Sequence, residues 1–144
     1  MPLDKNLIHE KMKKIDEFIK RIESMDFSKE QFIENIDYQD LLTFRLQQAV
    51  ETAIEVATHI ISSLDLEKPE TARSSFEVLA RHKIISENLS KEMMLAVSFR
   101  NIVVHKYSQL DFSQLFHDYK EDIKTLKKFI AEIENFLDEN QNHK

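Results

Sequence analysis

The 144-residue chain is 42% apolar and 32% charged, a globular composition at the size of one domain. It contains no Gly, no Cys and two Pro. That excludes Gly-rich phosphate loops, nucleophile elbows, disulfides, Cys-ligated metals and thiol catalysis, and it counts against tight β-hairpins. The net charge of −6 makes the surface as a whole a poor non-specific ligand for nucleic acid. The charge is uneven: residues 68–106 hold seven Lys/Arg and four Asp/Glu (+3), and the rest hold 13 and 22 (−9). No apolar run approaches the ~20 residues of a membrane span, and Met1–Glu10 lacks the layout of a signal peptide. A cytoplasmic protein without membrane contact is the expectation, one that the absence of Cys fits.

Helical periodicity runs through almost the whole chain. Ile8, Met12, Ile15, Ile19 and Ile22 mark the inner face of a first helix over 4–24. Ser28 and Gln31 have capping-box spacing and open a short second helix. Asp37 is placed to cap a long third helix to about Leu64, with Leu42, Leu46, Ala49, Ala53, Val56, Ala57, Ile60 and Leu64 as its stripe. Pro69 lies in the one strong breaker, 65–71. A helix over 72–82 follows, with Phe76 and Leu79 inward, then one over 87–103 capped by Ser86. Asp111 and Gln114 open a last helix to about Asp138, with Leu115, Tyr119, Ile123, Leu126, Ile130, Ile133 and Leu137 inward. Phe129 and Phe136 lie off that stripe, which implies a wide core face or a second contact surface. Residues 139–144 read as a frayed polar tail. The expected fold is a single all-α domain over 1–144, an antiparallel bundle of about five to six helices.

The helix ending near 104 carries the candidate chemistry. Leu89, Met93, Ala96, Val97, Val103 and Val104 form one apolar band, and Arg100 falls inside it. A cation there must be paired or open into a polar cleft. Asn101 and His105, four apart, share another side, and Tyr107 follows. Arg can hold phosphate oxygens bidentately, an imidazole titrates near neutrality, and an amide can orient either. On spacing alone, an Arg–carboxylate bridge and a surface His account for these residues equally well. Leu95, Phe99 and Ile102 lie on a second side of this helix. Apolar surface on two sides calls for two partners and predicts a homodimer through 93–107.

Phe99-Arg100-Asn101-Ile102-Val103-Val104-His105-Lys106-Tyr107 resembles the signature of the HepT-like proteins of the HEPN superfamily: Arg, a polar residue, three more, His, any residue, Tyr. Residues 51–61, 75–80 and Ile84-Ile85 resemble the family's flanking segments. The resemblance implies an all-α, HEPN-like homodimer whose motifs face each other across a cleft. It also implies a metal-independent endoribonuclease toxin, paired with a minimal nucleotidyltransferase antitoxin that adds AMP to the motif tyrosine. On this resemblance Arg100, Asn101 and His105 are the catalytic candidates toward an RNA substrate, Tyr107 is the modification site, and no cofactor or metal is called for. The alternative function is a non-catalytic helical partner of the nucleotidyltransferase.

Two further sets have more than one reading. Glu51, Glu55 and His59, at i, i+4 and i+8, can form a solvated face or share a metal. In the family context, Glu51 or Glu55 could instead pair with Arg100 and orient it. Arg81, His82 and Lys83 could form an RNA-contacting rim beside the cleft, or could be cations favoured at a helix C-terminus.

Overall fold

The structure is a computed structural model that describes residues 3–142, with side chains described through Glu139. It contains six α-helices: α1 (Lys5–Glu23), α2 (Lys29–Glu34), α3 (Ile36–Ser63), α4 (Ala72–Arg81), α5 (Glu87–His105) and α6 (Phe112–Asn142). A single 3-10 turn, Tyr107–Gln109, sits between α5 and α6. No strand occurs among the described residues.

Side-chain caps start these helices where the sequence places polar residues. Asp4 accepts from Leu7 N at 3.0 Å, and Ser28 and Gln31 form the reciprocal box of α2. Ser86 accepts from Leu89 N, and Asp111 from Gln114 N. The cap of α3 is Asn35, not Asp37. Its Oδ1 accepts from Asp37 N at 2.9 Å, so Asp37 falls inside the first turn, where its charge favours the helix dipole. The sequence reading missed the box that opens α4, made by Thr71 and Ser74. Lacking Gly, the chain ends α3 and α4 with Asp65 (φ 54°) and Lys83 (φ 60°) in the left-handed region. Leu66 N then returns to Ile61 O and Ile84 N to Leu79 O, both at 2.9 Å, which closes each helix end. Each such residue costs about 1–2 kcal/mol that a Gly would avoid.

Hydrogen bonds and ion pairs between helices show their directions. Lys11 meets Glu55 and the Arg45 guanidinium donates to Arg21 O, so α1 and α3 run antiparallel. Glu132 accepts from Ser86 at one end of α5, and Glu92 meets Thr125 and Lys128 further along, so α5 and α6 are antiparallel too. All five apolar residues of the α1 stripe are buried. Each contributes roughly 1.5–3 kcal/mol of apolar transfer. Leu64 and Ile130 are only half-buried. Phe129 is fully buried edge-on to Phe76 at 5.8 Å, and Phe136 packs on the core, so the wide-face reading of α6 holds. The tail is corrected in part: α6 continues through Asn142, and His143 and Lys144 lie outside the described residues.

Asp122 lines a groove between α5 and α6 with Leu95, Phe99 and Leu115. Burial pushes its carboxyl up to about 7, helped by the charges of Asp118 and Glu121. Between about pH 4 and 7 the folded chain holds a proton there that the unfolded chain releases. Stability therefore falls as pH rises through this window. Asp122→Asn is expected to raise the melting midpoint at pH 8, by about 3 °C per kcal/mol recovered. At pH 4 it should change nothing. Equal midpoints at pH 8 would show that the carboxylate ionises without penalty.

Candidate active site at the end of the fifth helix

The last two turns of α5 and the 3-10 turn lie against the first half of α3. Arg100 pairs with Glu51, and the Tyr107 hydroxyl donates to Asp40 Oδ1 at 3.3 Å. These two contacts make α3 and α5 antiparallel here. On α3, Asp40 and Glu51 are eleven residues apart, about 20° around the helix, so both face α5.

Arg100 is half-buried and doubly held. Its Nε donates to Glu51 Oε1 and its Nη1 donates to Asn101 Oδ1 at 2.7 Å. A guanidinium has five N–H donors, so three are left for an anion. This resolves the charge on an apolar face: Glu51 neutralises it and fixes the plane of the fork. Glu55 does not share this role. It points to α1 and binds Lys11 Nζ at 3.2 Å. His59 also faces α1, where its Nε2 accepts from Asp4 N and lies 3.3 Å from Ser63 Oγ. The three side chains considered as a possible metal set thus go to three separate partners.

His105 is the last residue of α5 and is exposed. The helix ends two residues later than the sequence reading placed it, so the imidazole sits on helical geometry one turn beyond Asn101. The apolar band is shorter than expected. Leu89, Met93, Ala96 and Val97 are buried, Val103 is half-buried, and Val104 is 48% exposed. On the second side Leu95 is 68% and Ile102 38% exposed, while Phe99 is half-buried and packs on the core. Phe44 on α3, one turn beyond Asp40, is also exposed.

Tyr107 opens the 3-10 turn, its ring edge-on to Phe112 at 6.3 Å. Desolvation and the neighbouring Asp40 charge push its phenol above the ordinary tyrosine range. Asp40 was not among the sequence candidates. Its place one face away from the α3 core stripe was readable, but its pairing with Tyr107 depends on how α5 packs.

The cationic trio lies elsewhere. Arg81 ends α4, His82 caps it, and Lys83 takes the left-handed turn. Arg81 Nη1 and His82 Nε2 each meet a Glu67 oxygen at 2.6 Å, which holds the Glu67 carboxyl down at about 2. Arg81 also borders Glu87, Ser90 and Lys91 at the start of α5. Along the helix these residues are about 14–20 Å from Arg100. Within one chain the cationic trio lies toward the other end of α5 from Arg100, and Glu67 binds Arg81 and His82. The excess positive charge of 68–106 is likewise no local patch, because Glu51 and Glu67, from outside that segment, bind two of its cations.

The described residues form an all-α bundle in which a paired arginine, an amide and an exposed imidazole meet at one helix end. The model of the family described as Ribonuclease HepT-like matches residues 8–133, and the chain belongs to that ribonuclease family. It is 31% identical over 128 residues to the mRNA nuclease HepT of Shewanella oneidensis, covering 89% of this chain and 96% of that one. It is 29% identical over 100 residues to the tRNA nuclease HepT of Aphanizomenon flos-aquae, covering 69% and 68%. Among solved structures it resembles the tri-AMPylated Shewanella oneidensis HEPN toxin in complex with its MNT antitoxin. The TM-score is 0.85 at 30% identity, covering 92% of this chain and 99% of that one.

Proposed function

We propose that this chain is the toxin of a toxin–antitoxin pair, an endoribonuclease that cuts RNA without a metal. The observation that carries this reading is the Arg100–Asn101–Glu51 cluster beside the exposed His105 in a chain of the HepT-like family. The 2′-hydroxyl of the RNA attacks the adjacent phosphorus, and the bond to the 5′-oxygen breaks. His105 moves the protons. Arg100, oriented by Glu51, stabilises the charge that gathers on the phosphorane oxygens. Base and acid act on opposite sides of the phosphorus, so one imidazole per chain does not serve both. A second copy of the chain supplies the other His105 across a cleft. Purified chain incubated with RNA in the presence of a chelator, without partner, tests the reading. Cleavage is expected. Intact RNA that the chain nonetheless leaves cleavable by its relatives would favour the non-catalytic docking role instead.

The dimer makes its own prediction. Leu95, Ile102 and Val104 leave apolar surface next to the cluster, and a second copy related by a two-fold axis would cover it. Sedimentation at micromolar concentration is expected to give twice the chain mass. A monomer would remove the two-histidine cleft.

The antitoxin of this reading is a minimal nucleotidyltransferase that adds AMP to Tyr107. The tri-AMPylated state of the Shewanella oneidensis toxin supports this, as does the 46% exposure of Tyr107. A phosphodiester there carries negative charge to the mouth of the site that Arg100 offers to RNA.

A further inference from the structure

We propose that Asp40 is the general base that activates Tyr107 for its own modification, so that the toxin supplies part of the chemistry that silences it. The inference rests on the reading of Tyr107 as the AMP acceptor and goes beyond it by naming a residue and its role.

The geometry begins with the nucleophile. A phenol attacks phosphorus well only as the phenolate or as a proton leaves. The surroundings of Tyr107 work against spontaneous ionisation, because burial and the Asp40 charge both hold the proton on. One carboxylate oxygen, Asp40 Oδ1, already accepts a hydrogen bond from this hydroxyl at 3.3 Å, across 67 residues of sequence. Such contacts are often long before the reactants assemble. The edge-on contact with Phe112 limits where the ring can go, and α3 fixes Asp40 from the other side. Asp40 is itself exposed, so a proton it collects can pass to water. The neighbouring charged groups are His105 and Lys106, just before Tyr107 in the chain, and Asp37, about one turn before Asp40. None of these has a hydrogen bond to the phenol among the described residues.

The step balances without a redox change. The partner brings a metal-bound nucleoside triphosphate. The Tyr107 O–H bond breaks and its proton goes to the Asp40 carboxylate. The phenolic oxygen bonds to the α-phosphorus, the bond from that phosphorus to the bridging β-oxygen breaks, and pyrophosphate leaves. The product is a tyrosyl phosphodiester of the nucleoside, with Asp40 returned to its ionised form by water.

Asp40→Asn is the informative variant, because the amide oxygen can still accept the phenol hydrogen bond while it cannot take the proton. The wild-type chain and the variant are each mixed with the nucleotidyltransferase of the module and labelled ATP. Incorporation is then timed by intact mass from pH 6.5 to 9.5. At pH 7 the variant is expected to be modified about 100-fold more slowly, within the range for loss of an acid–base group. The deficit should shrink as pH rises toward the ionisation of the phenol. The melting midpoint of the variant should match the wild type, because Asp40 is an exposed residue of α3, and that match shows that the fold is intact. Equal rates at pH 7 would overturn the proposal and put the base on the antitoxin. A deficit of the same size at every pH would overturn it as well, leaving Asp40 as a purely positioning contact. If the wild-type chain takes up no AMP at all, the modification reading itself fails, an outcome distinct from either of these.

Discussion

His105→Ala is expected to lower RNA cleavage by the isolated chain about 10²- to 10⁴-fold, the usual cost of removing an acid–base group. The side chain is exposed at the last residue of α5 and packs in no core, so the melting midpoint should stay close to wild type. Arg100→Ala should cost a similar factor for a different reason: the transition-state charge loses its cation. That variant also strands the half-buried Glu51 carboxylate, so it needs a thermal melt beside the assay. Arg100→Lys separates charge from shape. An ammonium cannot reach Glu51, Asn101 and a phosphate with one planar fork, so recovery is expected to be partial. A chelator should leave the wild-type rate unchanged. Inhibition by EDTA that a divalent ion reverses would overturn the mechanism.

Tyr107→Phe is expected to abolish AMP incorporation while leaving cleavage by the isolated chain nearly as it was. The substitution removes one hydroxyl from an exposed ring and keeps the contact with Phe112. It breaks only a surface hydrogen bond to Asp40. Co-expressed with the nucleotidyltransferase, the wild-type chain should gain mass in whole AMP units and lose toxicity. The Tyr107→Phe chain should gain none and remain toxic. A wild-type chain that is unmodified in a fully neutralised complex would mean that the antitoxin acts by binding, and the charge-blocking account of Tyr107 would be dropped.

Much of the bundle was legible because its forces act within one helix. The stripe of α1 is five apolar residues at helical spacing, and all five are buried. Caps are equally local. Ser28, Ser86 and Asp111 each meet a backbone N–H three residues ahead, a distance set by the first helical turn. The misassigned start of α3 had a local cause too. Asn35 and Asp37 are both good caps, and the extended backbone that ends the six-residue α2 falls at Asn35, which therefore opens α3.

The sequence by itself determined that Arg100 sits on an apolar face with Asn101 and His105 nearby, because a rigid rise and rotation per residue dictate which side chains leave one helix end together. It also determined that this charge required a partner, because an unpaired guanidinium among apolar groups is too costly. Only the tertiary structure decided the partner. Glu51 and Glu55 share one side of α3 one turn apart, and periodicity cannot tell them apart. The antiparallel packing of α3 against α5 sends Glu51 to Arg100, while the packing of α1 sends Glu55 to Lys11. The same packing placed Asp40 against Tyr107 and left Arg81, His82 and Lys83 at the far end of α5. These are pairings across 44 to 67 positions of sequence, where no repeat of the backbone carries the information.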